Sequence, residues 1–334
     1  MTRSRRLAAA LPAPLWLLIT AGPVLADPAG PSDYLTRVIR VEPAISGLHI
    51  DIIGGDSFIM VKAGPAMAVE VPGYRGEPYL RFLPGGTVEE NENSPTTHLN
   101  LDRYGEGDMP PHASYDAGPQ WRVVAGDGAY AWHDHRAHWM SPSRPPGKGP
   151  GDVILEGVIP LRVDGQEVLV TVQSVWQPAP SALPAAAGVM AALALLMATV
   201  AIGGGIRVPA AITGLLGMAA AALGLVAYLS VPAVTGPSWS LWVPPMGAAA
   251  LAGVVALSGP SARFSPAHGF LMAAASLQIA AWALLHREWM WRAVLPTAAP
   301  SWLHRGAVAT ALVGGIGMLI PVSRSRAASD PSRP

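Results

Sequence analysis

Polar and apolar positions divide the 334-residue chain into three unequal parts. A short basic and apolar stretch opens it, and a polar, turn-rich part follows from Asp27 to about Pro180. From Ala182 onward apolar residues dominate, in stretches close to the ~20 residues that span a bilayer core. The pattern predicts a domain in water, residues 27–180, followed by a helical membrane domain, residues 181–323.

The opening stretch has the features of a secretory signal. Three arginines lie within the first six residues, an apolar run follows over residues 7–25, and small residues occupy the −3 and −1 positions before Asp27. These features predict a signal peptide, residues 1–26, that is cleaved after Ala26. An uncleaved anchor helix is the alternative, but three prolines would interrupt that helix. We therefore expect residues 27–180 to be exported.

The membrane part contains five apolar stretches: Pro184–Ile206, Val208–Val231, Leu241–Leu257, His268–Leu285 and Gly306–Val322. They predict a five-span α-helical bundle with a short tail, residues 324–334. The arginines between the stretches favour, by a modest margin, a cytoplasmic tail and an outside N-terminal domain. The sequence thus predicts a multi-pass membrane protein.

The predicted spans carry few polar side chains beyond Thr199, Thr213 and Gln278. Transporters and channels usually need ionisable groups there, so an anchor or assembly platform is the better interpretation. The connection between the last two spans holds His286 and His304 among tryptophans and arginines. One interpretation of these residues is a two-histidine haem or copper site. The preferred interpretation is that they are ordinary anchors at the membrane–water boundary.

Short β-compatible runs separated by glycine and proline dominate residues 27–180. The runs are Leu48–Ile53, Phe58–Val61, Ala66–Val71, Tyr79–Leu83, Trp121–Val124 and Ala129–Trp132. Asp164-Gly165 between two further β-rich runs predicts a hairpin with a type I′ turn. Strands at this spacing predict an all-β antiparallel sandwich of immunoglobulin or cupredoxin type.

Composition narrows the chemistry of the exported part. The chain has no cysteine, which excludes disulfides, thiolate ligands and cysteine nucleophiles. Residues 27–180 hold 20 Asp and Glu against 11 Lys and Arg, a difference of −9. An acidic domain is a poor nucleic-acid binder and attracts cations. No nucleic-acid partner is expected.

Candidate chemistry concentrates in the nine residues WHDHRAHWM, Trp132–Met140. In an extended strand His133 and His135 would project on one face, with His138 and Met140 sharing a face slightly farther along. Imidazole suits copper, zinc or nickel, and a thioether biases the choice toward copper. Copper is therefore the first metal and zinc the second, with Asp134 as a further zinc ligand only if the chain turns there.

The segment Glu89–Asp102 before this motif reads as a solvated turn, from which His98 is a weaker candidate ligand. Residues 105–118 read as a long loop that can close over a site. The alternative to a metal site is a structural or partner-facing motif in a metal-free interaction module or assembly scaffold. Catalysis has little support, because no nucleophile can be paired with a histidine base.

Three segments together carry a resemblance: GYRGEPYLRF (Gly73–Phe82), NSPTTHLN (Asn93–Asn100) and WHDHRAHWM. Their combination resembles a group of bacterial membrane proteins with an exported β domain and a W-H-D-H-R-x-H-W-M motif. The resemblance covers about residues 40–180. It implies an architecture and no activity, so the function has to be argued from the residues themselves.

Overall fold

The structure is a computed structural model that describes residues 27–202, 205–232, 238–258 and 265–320. The predicted signal peptide and the tail, residues 324–334, lie outside the described residues. Apart from one five-residue helix, the described chain is β-structured up to Trp176 and helical from Leu183 onward. The predicted order, a β part followed by a helical part, is confirmed.

In the part of the chain that the structure describes, ten strands form two antiparallel sheets. One has seven strands in the order β1-β10-β9-β4-β5-β6-β7, and the other has three in the order β2-β3-β8. Their bounds are β1 Tyr34–Glu42, β2 His49–Ile53, β3 Phe58–Lys62, β4 Val69–Pro72, β5 Pro78–Phe82, β6 Val88–Asn91, β7 Trp121–Ala125, β8 Ala129–Trp132, β9 Val153–Val163 and β10 Gln166–Trp176.

The longest strands, β9 and β10, form the hairpin that the Asp-Gly pair predicts. Asp164 and Gly165 have φ of 49° and 83°. Two consecutive positive φ values are what a type I′ turn requires. The turn fixes the register at Gln166 opposite Val163, so that alternate residues of both strands face the same side.

Both sheets contribute to one hydrophobic core. Ile59 of the three-stranded sheet and Val69, Phe82 and Ile159 of the seven-stranded sheet are all fully buried in it. Trp132, the last residue of β8, belongs to the same core. The start of the histidine motif is therefore anchored in the hydrophobic core of the β domain.

The segment Glu89–Asp102 is not the solvated turn that its composition predicts. It contains the end of β6 and a short helix α1, Pro95–Leu99, whose first residues are buried. The buried carboxylate of Glu77 accepts hydrogen bonds from the hydroxyls of Ser94 (3.0 Å) and Thr96 (2.6 Å). The sequence prediction was wrong because polar side chains are readily buried when a charged partner satisfies them.

The helical part consists of α2 Leu183–Ile202, α3 Arg207–Leu229, α4 Val243–Leu257, α5 Pro266–Leu285 and α6 Ser301–Gly317. Three of these helices, α2, α3 and α5, are long and apolar enough to cross a membrane. Helix α4 is a shorter apolar helix of 15 residues, and α6 has 17 residues. The helices therefore indicate membrane association.

Small residues let the helices approach one another closely. A Cβ added to Gly188 of α2 would lie 2.2 Å from the carbonyl oxygen of Gly306 of α6. A Cβ on Gly315 would lie 2.9 Å from the carbonyl oxygen of Ser276 of α5. Such approaches favour helix association where lipid supplies no hydrophobic driving force.

The β domain contacts the connection between α5 and α6. Ser32 and Val294 exchange backbone hydrogen bonds of 2.9 and 2.8 Å. Beside them, the Arg292 guanidinium donates to the Asp33 carboxylate at 2.8 Å. Arg305 is buried and donates to three backbone carbonyls of this connection. Arg292 and Arg305, predicted as anchors at the membrane boundary, thus bind protein groups.

Candidate functional site

The histidine motif forms a turn, which differs from the extended strand that the sequence prediction assumed. Strand β8 ends at Trp132, and the Asp134 carbonyl accepts a hydrogen bond from the Ala137 amide at 2.8 Å. The Arg136 carbonyl lies against β9, where a Cβ on Gly157 would be only 1.9 Å from its oxygen. The alternation of side chains between two faces, which the sequence prediction took from a strand, therefore does not apply to the histidines of the motif.

Asp134 and Arg136 form an ion pair that holds this turn, in which the carboxylate is fully buried and the guanidinium is partly buried. The guanidinium donates from Nε to one carboxylate oxygen at 2.8 Å and from Nη2 to the other at 2.7 Å. The Trp132 indole donates to the same carboxylate at 3.0 Å. Burial would raise the pKa of Asp134, but Arg136 overcomes this and holds it below its usual value. Asp134, considered as a zinc ligand, is instead fully engaged in the turn.

The turn brings three imidazole rings together. The His138 ring centre lies 5.9 Å from that of His133 and 5.5 Å from that of His135. His133 and His138 are fully buried, and His135 is partly buried. Three imidazoles that share one metal at an N–metal distance of about 2.0–2.1 Å have ring centres about 5.1–5.5 Å apart. The two spacings that involve His138 are close to those of a shared site.

Each of the three rings has a backbone carbonyl on one side. His133 Nε2 lies 3.0 Å from the Asp27 oxygen, His135 Nε2 lies 3.0 Å from the Asp102 oxygen, and His138 Nδ1 lies 3.3 Å from the Trp139 oxygen. A carbonyl can only accept, so a neutral ring carries its proton on that nitrogen and its lone pair on the other. Metal-bound histidines are usually oriented by partners of this kind.

Two of the opposite nitrogens are buried without a hydrogen-bond partner: His133 Nδ1 and His138 Nε2. The backbone of Ser57 lies near His133 and favours its protonated form, but it makes no hydrogen bond of normal geometry to Nδ1. Unpartnered buried polar atoms are rare in folded proteins and point to a function or to an absent ligand.

All three histidines are neutral near pH 7. Burial lowers the pKa of His138 to about 3, and the positive charge of Arg103 adds to the effect. Burial also lowers the pKa values of His133 and His135, although their carbonyl partners oppose the shift. A metal would not have to displace protons from these rings, because histidine ligates in its neutral form.

The two weaker candidate ligands have different positions. Met140 lies at the edge of the cluster, where a Cβ on Gly105 would be 3.6 Å from the Met140 methyl and 3.0 Å from His135 Cε1. His98 bonds to the Glu92 carbonyl at 2.9 Å, and its ring contacts that of His112. Met140 therefore lies near His135, whereas the contacts of His98 are made elsewhere.

Several residues of the cluster have no signal in the local sequence. Tyr74 stacks on His135 with ring centres 5.6 Å apart, and its hydroxyl accepts a hydrogen bond from the His135 amide at 2.9 Å. That hydroxyl donates in turn to the side chain of Asn100. The three segments that carry the family resemblance thus converge on one site, and this is the only sequence signal that could have linked them.

Removing the Tyr74 hydroxyl tests its role as a support. The Tyr74→Phe variant keeps the stacked ring but leaves the His135 amide and the Asn100 oxygen without their partner. We expect a loss of about 1–3 kcal/mol in the free energy of unfolding, measured by denaturant titration. Tyr115→Phe is the matched control, since the Arg75 guanidinium packs over the Tyr115 ring. Equal losses of stability in both variants would contradict the role assigned to the Tyr74 hydroxyl.

The ring positions alone do not form a finished metal site. Across residues 27–202, 205–232, 238–258 and 265–320, no group of three or more His, Asp or Glu side chains is arranged to hold an ion. The rings are near enough, but their lone pairs do not meet at one point. Ligation would require side-chain rotation within the cluster.

Comparisons with protein-family models, with curated proteins and with solved structures gave no match for this chain. The function is therefore argued from the geometry and chemistry of the cluster.

Proposed function

We propose that this protein is a membrane-anchored, extracytoplasmic metal-binding protein that handles or delivers copper, with zinc as the second choice. His133, His135 and His138 are its principal ligands, and Met140 and His98 are weaker ones. The β domain is an immunoglobulin- or cupredoxin-like sandwich outside a bacterial cell membrane. Helices α2 to α6 form its five-span anchor, and the C-terminal tail is cytoplasmic.

One observation carries the proposal: two buried imidazole nitrogens, His133 Nδ1 and His138 Nε2, have no hydrogen-bond partner. Each belongs to a ring whose other nitrogen faces a backbone carbonyl, so both are lone-pair donors. A buried polar atom without a partner destabilises the fold by about 1–3 kcal/mol, and a bound metal ion would remove that cost.

The choice of metal follows from the donors. Imidazole binds copper and zinc alike, whereas the thioether of Met140, close to His135, favours the softer Cu(I). The chain has no thiolate that would compete for either metal. Copper is thus the first choice on donor chemistry.

A metal titration of the purified full-length protein in detergent tests the proposal. After metal removal, the protein is titrated with Cu(I), Cu(II) and Zn(II) against chromophoric competitors. We expect about one tightly bound ion per chain, and at least about a 100-fold loss of affinity in the double variant His133→Ala/His135→Ala. His49→Ala, which removes an exposed imidazole, is the control and should bind like the unchanged protein.

Absence of tight, histidine-dependent metal binding supports the second candidate, a metal-free interaction module or assembly scaffold. That candidate is favoured by the satisfied Asp134–Arg136 pair, which already gives the motif a structural role. It predicts unchanged, weak metal binding in the double variant and a membrane or extracytoplasmic protein partner that is recovered equally well with and without chelator. Loss of that partner on chelation would contradict it.

A further inference from the structure

A loop with two exposed basic side chains follows the histidine motif directly. This basic loop, residues 141–152, has the sequence SPSRPPGKGPGD and leads into β9. Arg144 and Lys148 are exposed, and neither forms an ion pair with an acidic residue in the described part of the chain. The acid of the loop, Asp152, accepts a hydrogen bond from the Gly149 amide at 2.8 Å instead. The loop therefore presents positive charge on a domain that is acidic as a whole.

The basic loop lies at the end of the β domain that is joined to the helices. The guanidinium carbon of Arg144 lies 5.7 Å from the centre of the Trp176 ring. Trp176 ends β10, and α2 begins at Leu183. The connection between them, residues 177–182, spans at most about 25 Å even when extended. Arg144 is therefore held within a short distance of the first membrane-spanning helix.

A second set of contacts places the same end of the domain at the boundary of the helical part. The Gln177 amide donates to the Asp33 carbonyl at 2.7 Å, and the Asp33 carboxylate accepts from the Arg292 guanidinium at 2.8 Å. Arg292 belongs to the connection between α5 and α6, in which Trp291 is 48% exposed. Exposed tryptophans at helix ends are typical of the membrane–water boundary. The basic loop thus lies near the level of the lipid headgroups.

The turn of the β9–β10 hairpin marks the opposite end of the domain. Strand β10 has 11 residues, from Gln166 beside the turn to Trp176 beside the basic loop. At a rise of about 3.3 Å per residue, these two ends are roughly 33 Å apart. Arg162, near the turn, is exposed and basic as well, but it lies far from the junction with the helices.

We propose that the basic loop binds the headgroups of anionic phospholipids in the membrane that holds the helices. Arg144 and Lys148 supply the charge, and each basic residue near an anionic surface favours contact about fivefold. Two such residues suffice because the connection to α2 keeps the loop at a high effective concentration of lipid. The loop also holds the histidine motif at this level, since the Trp139 indole donates to the Ser143 carbonyl at 2.8 Å. This binding does not depend on a metal.

Site-specific labelling of the full-length protein tests the proposal, because the chain has no native cysteine. Ser143→Cys places a fluorophore in the basic loop, and Gln166→Cys places one at the far end of β10. Each labelled protein is reconstituted in nanodiscs of phosphatidylglycerol and phosphatidylcholine that carry nitroxide-labelled headgroups. We expect the nitroxide to quench the fluorophore at Ser143→Cys and not at Gln166→Cys.

The charge of the loop is tested by adding Arg144→Gln/Lys148→Gln to the Ser143→Cys protein. The equilibrium between lipid-bound and lipid-free loop, measured by quenching, should shift about 30-fold toward the free loop. Arg40→Gln/Arg162→Gln, which removes two exposed basic residues from the strands, changes the net charge equally and should leave quenching unchanged.

A salt titration of the loop with its native charges decides the case if the double variant does not fold. At about 1 M salt the Debye length shortens to about 3 Å, so quenching at Ser143→Cys should be largely lost. Quenching that is the same in discs of phosphatidylcholine alone overturns the proposal. Equal quenching in Arg144→Gln/Lys148→Gln and its charge-matched control, or no response to salt, also overturns it.

Discussion

The Arg136→Gln variant is expected to destabilise the histidine turn by about 3–5 kcal/mol, the typical effect of breaking a buried ion pair. The substitution leaves the fully buried Asp134 carboxylate without its two-point partner. Hydrogen exchange of the amides in residues 129–140 reports this locally in the intact protein. We expect exchange to accelerate by about 10²–10⁴-fold, which corresponds to that free energy.

The pH dependence of the Arg136→Gln defect distinguishes an unpaired Asp134 charge from a general loss of packing. In the unchanged protein the pKa of Asp134 is lowered, so its stabilising effect is present above the unfolded value and is lost as pH falls through the folded value. Without Arg136, burial raises the pKa of Asp134, and protonation relieves the buried charge. The defect of Arg136→Gln should therefore be smaller at pH 4.5 than at pH 7.5.

Arg40→Gln is the matched control for this experiment. Arg40 and Glu42 form an ion pair whose side chains are 62% and 59% exposed. Exposed pairs of this kind contribute about 0–1 kcal/mol. A similar small effect of Arg136→Gln would contradict the role assigned to the buried pair.

The second large effect is loss of stability in mild acid by the metal-free protein. The pKa of His138 is lowered to about 3, so its ring stays neutral in the folded state, while the same ring in the unfolded chain protonates near 6.5. The unfolded state then binds more protons than the folded state between these values. Stability is full above about pH 6.5 and falls as the pH decreases.

The expected loss of stability follows from the difference between the pH and the pKa of histidine in the unfolded chain. At pH 5 the buried His138 lowers the free energy of unfolding by about 2 kcal/mol relative to pH 7.5. His133 and His135 act in the same direction, because burial lowers their pKa values too. Denaturant titrations of the full chain at pH 7.5, 6 and 5 measure the combined effect.

The His138→Asn variant measures the contribution of His138 alone to the pH dependence of stability. Asparagine does not titrate, so the slope of stability against pH between 5 and 6 should decrease by about one proton. His49→Ala removes an exposed histidine and is the matched control for the substitution. An unchanged slope in His138→Asn would mean that His138 is not held neutral by burial.

Local patterns in the chain were sufficient for the order of its parts and for one detailed feature. Short β runs before residue 180 and long apolar runs after it predicted the β-then-helical architecture, because strand and helix patterning depends on neighbouring residues. The Asp164-Gly165 turn was predicted for the same reason, since its backbone angles depend on those two residues. Strand β1 and helix α1 were not predicted, although Ser94 and Pro95 form a typical helix start. The burial of Glu77 had no such local signal, because its partners lie 17 and 19 residues away along the chain.

The sequence alone also placed the candidate site at WHDHRAHWM, but only the tertiary structure decided how its side chains are used. His133 takes its carbonyl partner from Asp27, 106 residues away, and His135 takes its amide partner from Tyr74, 61 residues away. Such partners are set by the packing of distant strands, and burial then decides which polar atoms lose water. For this reason the sequence could name the histidines, whereas the turn and their neutral state follow from the fold.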